Sequence, residues 1–438
     1  MGYQLFLYMI GNFFKPIFRK YTFEFRMKQL QVFLLFCFSI LLLACANRSE
    51  HQHTTTIQWR GIDRTGIFHE TGIRTSWIDN EPQLLWHFDG LGEGHSSPAV
   101  SNGKIYVTGM IDDNGYLFVF GLQGTLLHQI AYGPEWNRNY HGTRGTPTIN
   151  NGRIYIMSGM GDLICLNQRT LEVIWQRNIL SDFDANNILW GITDSPLIIG
   201  DKIIATPGGE EHNIVALNKH TGELIWSSPG VGEPATYSSP LYIGTQETPL
   251  IVTFTAQHII GLEVATGNVL WYHDSKTTWG INANTPLYHD NMIFWTNVDS
   301  GAFMLRLTNG GRNSEIAWTI PSFNNMQGGY VRIGNYIYGT SGGYGHYYLY
   351  CVNWYTGEVK WRSPEIRVGV TIANDGLLYI YSDRGVMTLV KATPEKFESM
   401  GHFSITLGTD QHWAHHIIYN GVLYVRRGDT LMAFDIRK

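Results

Sequence analysis

A short strand introduced by Ser-Pro or Thr-Pro recurs along this chain, at Ser97-Pro98, Thr146-Pro147, Ser195-Pro196, Ser239-Pro240 and Thr285-Pro286. Three further segments keep the strand without the proline. Tyr330, Thr371 and His416 stand in its place, each eight residues before Tyr338, Tyr379 or Tyr424. The spacing runs from 41 to 49 residues, the length of one four-stranded propeller blade. A period of that size excludes most folds open to a chain of 438 residues, because each unit buries its apolar face only against the next. Eight positions predict eight blades.

Each unit closes on a second signature, clearest in Ala216-Leu217-Asn218-Lys219-His220-Thr221-Gly222-Glu223-Leu224-Ile225-Trp226. A strand, a Thr-Gly turn and a second strand ending in tryptophan make a hairpin. The tryptophan returns as Trp175, Trp271, Trp318 and Trp361, with His128 and Phe397 as its substitutes in two weaker units. These rings read as blade-to-blade packing. The eighth unit stops at Leu431-Met432-Ala433-Phe434-Asp435-Ile436 with no closing strand, whereas Pro82-Gln83-Leu84-Leu85-Trp86-His87-Phe88 is a closing strand with no blade before it. The expected fold is all-β: an eight-bladed β-propeller of four-stranded antiparallel blades over residues 59–438. An N-terminal strand in the last blade would close the ring and remove an exposed sheet edge.

These residues carry a family resemblance. The pattern Ala/Cys-Leu-Asn-x-x-Thr-Gly-x-x-x-Trp resembles the tryptophan-docking repeat of the quinoprotein superfamily and covers the chain from Trp86 onward. Trp59-Arg60-Gly61-Ile62-Asp63-Arg64-Thr65-Gly66 resembles a leader of PQQ-like propellers. That superfamily includes dehydrogenases dependent on pyrroloquinoline quinone (PQQ) and the non-catalytic propeller lipoprotein BamB of outer-membrane protein assembly. The resemblance implies the fold and leaves the activity open. The alcohol dehydrogenases of the superfamily share a vicinal Cys-Cys pair over the quinone, which this sequence lacks, and their calcium-binding Glu, Asn and Asp find no match here. Cys-x-x-Cys-His, the mark of covalent haem, is also missing. Cys165 and Cys351 each lie ten residues before a docking tryptophan, where Ala216 and Gly261 stand in other units; they read as buried packing.

Upstream, Met27-Lys28 and an apolar run from Val32 to Ala44 end in Leu42-Leu43-Ala44-Cys45. The run is shorter than the roughly 20 residues that span a bilayer and reads as a secretory signal. Leu-Leu-Ala-Cys resembles the bacterial lipobox, which implies removal of residues 27–44 and a lipid anchor on Cys45; an ordinary cleaved signal or a short membrane anchor is the alternative. Residues 1–26 read as an extension upstream of the true start, and residues 45–58 as the lipidated cysteine and a polar tether. Ala46 is not the aspartate that can retain lipoproteins at an inner membrane, so the expected address in the cell envelope leans to the outer membrane. A formal net charge of −5 without any basic run in the mature chain excludes nucleic acid as a partner.

In a propeller the loops leading into the innermost strands converge on the axis. Just upstream of each proline or its stand-in are His95, Arg144, Asp194, Tyr237, Asn284, Gln327 and His415. A bare connector needs only turn residues, so this ring of polar side chains reads either as a ligand site or as a wet funnel. Trp190-Gly191-Ile192 and Trp279-Gly280-Ile281 place two indoles near the mouth, flat surfaces suited to a sugar ring or a planar cofactor. The first interblade loop adds Arg138, Tyr140 and His141, and its arginines favour a carboxylate or another anion. The segment Asp410-Gln411-His412-Trp413-Ala414-His415-His416 offers His412 and Asp410 as candidate metal ligands. His415 and His416, adjacent in a starting strand, would point to opposite faces.

Two function classes follow. One is a non-catalytic binding or scaffold lipoprotein, BamB-like in architecture, with an envelope protein or a glycan as its partner; a glycan-binding propeller is its variant. The other is a PQQ-dependent quinoprotein dehydrogenase of alcohols or sugars, with calcium, in which Asp194 would act as general base.

Overall fold

The computed structural model describes residues 56–343 and 346–438. The expected signal of residues 27–44, the expected extension before it, Cys45 and the expected tether up to residue 55 lie outside the described residues.

Eight antiparallel sheets follow one another along the chain. Blade 1 spans residues 99–134, blade 2 148–178, blade 3 197–228, blade 4 241–274, blade 5 287–320, blade 6 330–363 and blade 7 369–404. Blade 8 takes three strands from residues 417–435 and its outermost strand, Gln83–Phe88, from the N-terminal side, with Leu84 opposite Phe434 and Phe88 opposite Leu431. The expected closure is thus present, and the ring has no free end.

The Ser-Pro and Thr-Pro motifs have a physical reason. At three of the five motifs the hydroxyl before the proline accepts the backbone N–H of its counterpart one blade earlier: Ser97 N–H donates to Thr146 Oγ1 at 3.2 Å, Thr146 N–H to Ser195 Oγ at 3.0 Å, and Ser195 N–H to Ser239 Oγ at 2.9 Å; Thr285 Oγ1 instead donates to the Ser239 carbonyl at 3.0 Å. Proline follows at no cost because the innermost strand is an edge and its axis-facing N–H has no ladder partner to lose.

The core is a set of eight apolar layers, each shared by two neighbouring blades. Six docking indoles cross these layers and donate to a carbonyl of the next blade: Trp86 to Leu122, Trp175 to Lys219, Trp226 to Val264, Trp271 to Gly311, Trp318 to Trp354 and Trp361 to Thr393, all at 2.9 to 3.1 Å. The glycine of the Thr-Gly turn lies under the incoming ring; a β-carbon on Gly267 would stand 2.5 Å from Trp226. Opposite the indole in its own blade sits a small residue, as Trp175 faces Cys165 and Trp361 faces Cys351. Both thiols are free and buried, in separate layers.

The two substitutes behave differently from the expectation. His128 is exposed, and between blades 1 and 2 Gln168 instead donates to the Tyr106 hydroxyl at 3.2 Å. Phe397 lies back against Trp361 of blade 6, with ring centroids 6.2 Å apart, so it receives a docking ring and does not supply one. The layer between blades 7 and 8 is filled by Trp77 from the N-terminal leader, edge-on to Tyr379 and Phe403.

That leader also runs through the axis. Ile57 bridges to Ile149 of blade 2, and Ile67–Phe68 adds a parallel fifth strand to blade 7. Between them two buried arginines cross the channel. Arg64 donates to the Ser195, Pro196 and Pro240 carbonyls of blades 3 and 4. Arg60 donates to the Tyr330 and Thr371 carbonyls of blades 6 and 7. The channel is therefore plugged on the side away from the incoming loops.

Candidate functional site

The extended backbone entering each innermost strand alternates its side chains with a period of two. The third residue before the proline position faces the axis: His95, Arg144, Thr193, Tyr237, Ala283, Gln327 and, in blade 8, Trp413 all line one axial cavity of about 340 Å³. The residue immediately before the proline faces the same way, as Ser97, Ser195, Ser239 and His415 do. The intervening residue turns into the wall between blades. Asp194 and Asn284 occupy that intervening position and are buried there, which corrects their expected place at the mouth. Asn284 ties blade 5 to blade 6, donating to the Asn325 carbonyl at 2.9 Å and accepting Gly329 N–H at 3.0 Å.

Asp194 is 1 % exposed and accepts the Thr206 hydroxyl on one oxygen, while its other oxygen has no partner. Burial raises its carboxyl to about 7, against smaller opposing effects of the Thr206 hydrogen bond and the Arg64 charge. It faces the wall and the leader, so a general base acting on a molecule in the cavity is not what this geometry provides.

The cavity itself is an aromatic box. Trp59 of the leader forms its floor, edge-on to His415 at 4.9 Å. Tyr140 and His95 each approach Trp413 to 5.1 Å, and Trp190 meets Tyr237 at 5.7 Å on the other side. Tyr237 is pushed up to about 12 by burial. Arg144 stands among these rings but is engaged, donating to the carbonyls of Trp190 at 2.7 Å, Tyr140 at 2.5 Å and Asn139 at 3.2 Å. Behind it the buried Glu135 accepts Tyr132 Oη, Trp136 N–H and Gly159 N–H, and burial raises its carboxyl to about 7.

The two cavity histidines differ. Arg60 can only donate, so its 3.3 Å contact to His415 Nδ1 makes that atom an acceptor and puts the ring proton on Nε2; the ring also bonds the Gln327 backbone. His415 is held well below its usual pKa by burial and by the Arg60 charge. His95 is half-buried, but both of its ring nitrogens are buried and neither has a partner. Its pKa falls to about 3, chiefly through burial, then through the Arg144 and Arg426 charges. A neutral imidazole with both its donor and its acceptor unspent thus faces an apolar cavity. Unpaired polar atoms in such a place cost about 1–3 kcal/mol each.

Other expected residues lie elsewhere. Arg138 is exposed and stacks over Trp136 at 5.4 Å. His141 is exposed, 3.5 Å from Glu93. His412 lines a second cavity beside the axial one, and Gln327 and Trp413 belong to both. His412 accepts or donates to the Tyr381 hydroxyl at 2.5 Å, and burial lowers its pKa to about 4. His416 turns away from His415 and bonds the Tyr379 carbonyl at 3.1 Å; the two do point apart, although the strand begins only at Ile417. Asp410 is exposed. Among the described residues, no three His, Cys, Asp or Glu side chains converge as metal ligands would.

Trp279 is the clearest departure. Trp190 lies six residues before its proline and faces the cavity; Trp279 lies seven before, beyond the left-handed Gly280 that breaks the extended alternation, and stands in a lateral groove. Ile281 takes a place in the cavity wall instead. Sequence reasoning missed Trp59, Trp413 and Met326 among the lining residues. The first two were legible as aromatics within segments already singled out, and the two-residue alternation could have found Trp413.

The family model described as outer membrane protein assembly factor BamB matches residues 77–211 and 136–363. Among curated proteins, the chain is similar to tetrathionate hydrolase of Acidithiobacillus ferrooxidans, 23% identical over 49% of this chain and 43% of that one. It is likewise similar to outer membrane protein assembly factor BamB of Shewanella oneidensis, 22% identical over 46% of this chain and 48% of that one. The matches thus span less than half of these relatives' length. Among solved structures, BamB from Moraxella catarrhalis superposes with a TM-score of 0.57 at 14% identity, over 81% of this chain and 97% of that one. A europium-containing methanol dehydrogenase superposes with a TM-score of 0.64 at 15% identity, over 85% of this chain and 90% of that one. At these identities the superpositions show the fold.

Proposed function

Because this chain belongs to the family described as outer membrane protein assembly factor BamB, we propose that it is a lipid-anchored, non-catalytic binding or scaffold module of the cell envelope. Its ligand or partner sits at the loop face around the axis. The observation that carries the reading is the aromatic axial cavity of about 340 Å³ at the loop face, lined by Trp59, Tyr140, Trp190, Tyr237 and Trp413 beside His95, whose two buried nitrogens have no partner. The anchor rests on Leu42-Leu43-Ala44-Cys45, and membership of an outer-membrane protein assembly family supports the outer membrane and an envelope protein as partner.

The quinoprotein reading draws on the likeness to methanol dehydrogenase and on the tryptophan floor. Calcium, however, takes six to eight oxygen ligands, carboxylates prominent among them, and no aspartate or glutamate lines the axial cavity. The residues present do not fit a calcium-held quinone there.

Native mass spectrometry of the exported protein tests both. The expected spectrum shows a discrete small-molecule adduct, or a co-purified partner chain, that is lost in His95→Phe. A bare protein mass in wild type, or an adduct that His95→Phe retains, would overturn the cavity as its site. Stoichiometric retention of added PQQ and calcium after desalting would restore the enzyme reading in its place.

A further inference from the structure

Trp279 exposes 67 % of its surface, and it does so from a loop that is held firmly. Thr278 N–H donates to Asp299 at 2.6 Å, and the Gly280 carbonyl accepts Thr236 Oγ1 at 2.6 Å. The indole is thus presented by fixed backbone on both sides. It stands in a lateral groove of about 1090 Å³ on the loop face, over blades 3 and 4, with Leu189 also 53 % exposed. Single exposed apolar residues are ordinary, but a large ring and a leucine at one concave place mark a contact surface.

The rest of the lining sets the chemistry. Asp184, Glu210 and Glu211 are exposed there, and none of them takes part in an ion pair. No lysine or arginine lines the groove. A flat hydrophobic face beside hydrogen-bond acceptors fits a pyranose, whose C–H face covers an indole while its hydroxyls donate outward. The unbalanced carboxylates repel sulfated or phosphorylated sugars and attract an ammonium group.

We propose that this groove is a binding site for a glycan chain of uncharged or amino-bearing pyranoses, distinct from the axial cavity, with which it shares only Tyr237. Trp279 is the stacking platform, the exposed carboxylates of Asp184, Glu210 and Glu211 accept sugar hydroxyls, and Glu210 and Glu211 select against anionic sugars.

Calorimetric titration of the exported protein with a β-1,4-linked glucosamine tetramer, its N-acetylated form and a sulfated oligosaccharide of equal length tests the assignment. Both of the first two should bind and quench tryptophan fluorescence, and the sulfated one should not. Trp279→Ala should weaken binding at least tenfold without changing the far-ultraviolet spectrum, as its exposure requires. Glu210→Gln with Glu211→Gln should weaken the glucosamine tetramer alone, and His95→Phe should change nothing. Absence of binding in wild type, equal binding of the sulfated sugar, or Trp279-dependent binding of a lysine-rich peptide in place of the sugars would each overturn it.

Discussion

At the scale of single residues, His95 and Asp194 carry buried ionisable atoms whose titrations oppose each other. The folded pKa of His95 is about 3 against an ordinary 6.5, so the fold excludes a proton that the unfolded chain takes up. Its contribution is complete above pH 6.5 and is lost as pH falls toward 3, at up to about 1.4 kcal/mol per pH unit. Asp194 goes the other way, about 7 in the fold against 3.8; its contribution is complete below 3.8 and is lost as pH rises through 7. Urea midpoints read across pH 4 to 7.5 should therefore show a shallower acid loss in His95→Gln than in wild type, and a smaller loss on the alkaline side in Asp194→Asn. Parallel curves for wild type and His95→Gln would mean that His95 is wet and charged in the fold. The sequence showed which residues come near the axis but placed Asp194 and Asn284 on the wrong side of the backbone. A loop of uncertain length carries no hydrophobic alternation from which a one-residue register can be read, whereas the regular step of three before each proline carries it for His95, Arg144, Tyr237 and Gln327.

At the scale of the element, the repeated unit was legible because the same contact is made at each blade junction that has its tryptophan. Gly267 has a positive φ of +76° and lies under the Trp226 ring, whereas Gly103, at +70°, has open space around its α-carbon. Both glycines relieve the same backbone restriction, so Gly103→Ala should cost about 1 kcal/mol. Gly267→Ala should cost about 1–3 kcal/mol more, because the indole must move off its docking carbonyl. Equal losses in chemical unfolding would show that the indole is free to swing aside. The junctions without a tryptophan were not legible. Nothing local to Phe397 says that it receives a ring from blade 6, and Trp77 fills the layer between blades 7 and 8 from more than 300 residues away in sequence, where no periodicity can point.

At the scale of the whole molecule, two N-terminal segments do different work on the same ring. Gln83–Phe88 completes blade 8, while residues 56–66 plug the axis and bring Trp59 beneath the cavity. Arg60 and Arg64 carry most of that plug, since buried guanidinium groups donating to carbonyls of four blades would leave those carbonyls unpaired if removed. No carboxylate lies within ion-pair reach of either one among the described residues, and burial lowers both pKa values, to about 10 and about 9. Two deletions separate the roles. A chain lacking residues 56–66 should keep its radius and its strand content, because ring closure does not pass through them, yet unfold at lower urea and lose whatever the axial cavity holds. A chain lacking everything through Phe88 should lose the closing strand, expose the outer edge of blade 8 and self-associate, which light scattering during size-exclusion chromatography would register. If the first deletion instead opened the ring as the second does, the leader would be the true clasp and Gln83–Phe88 only its extension.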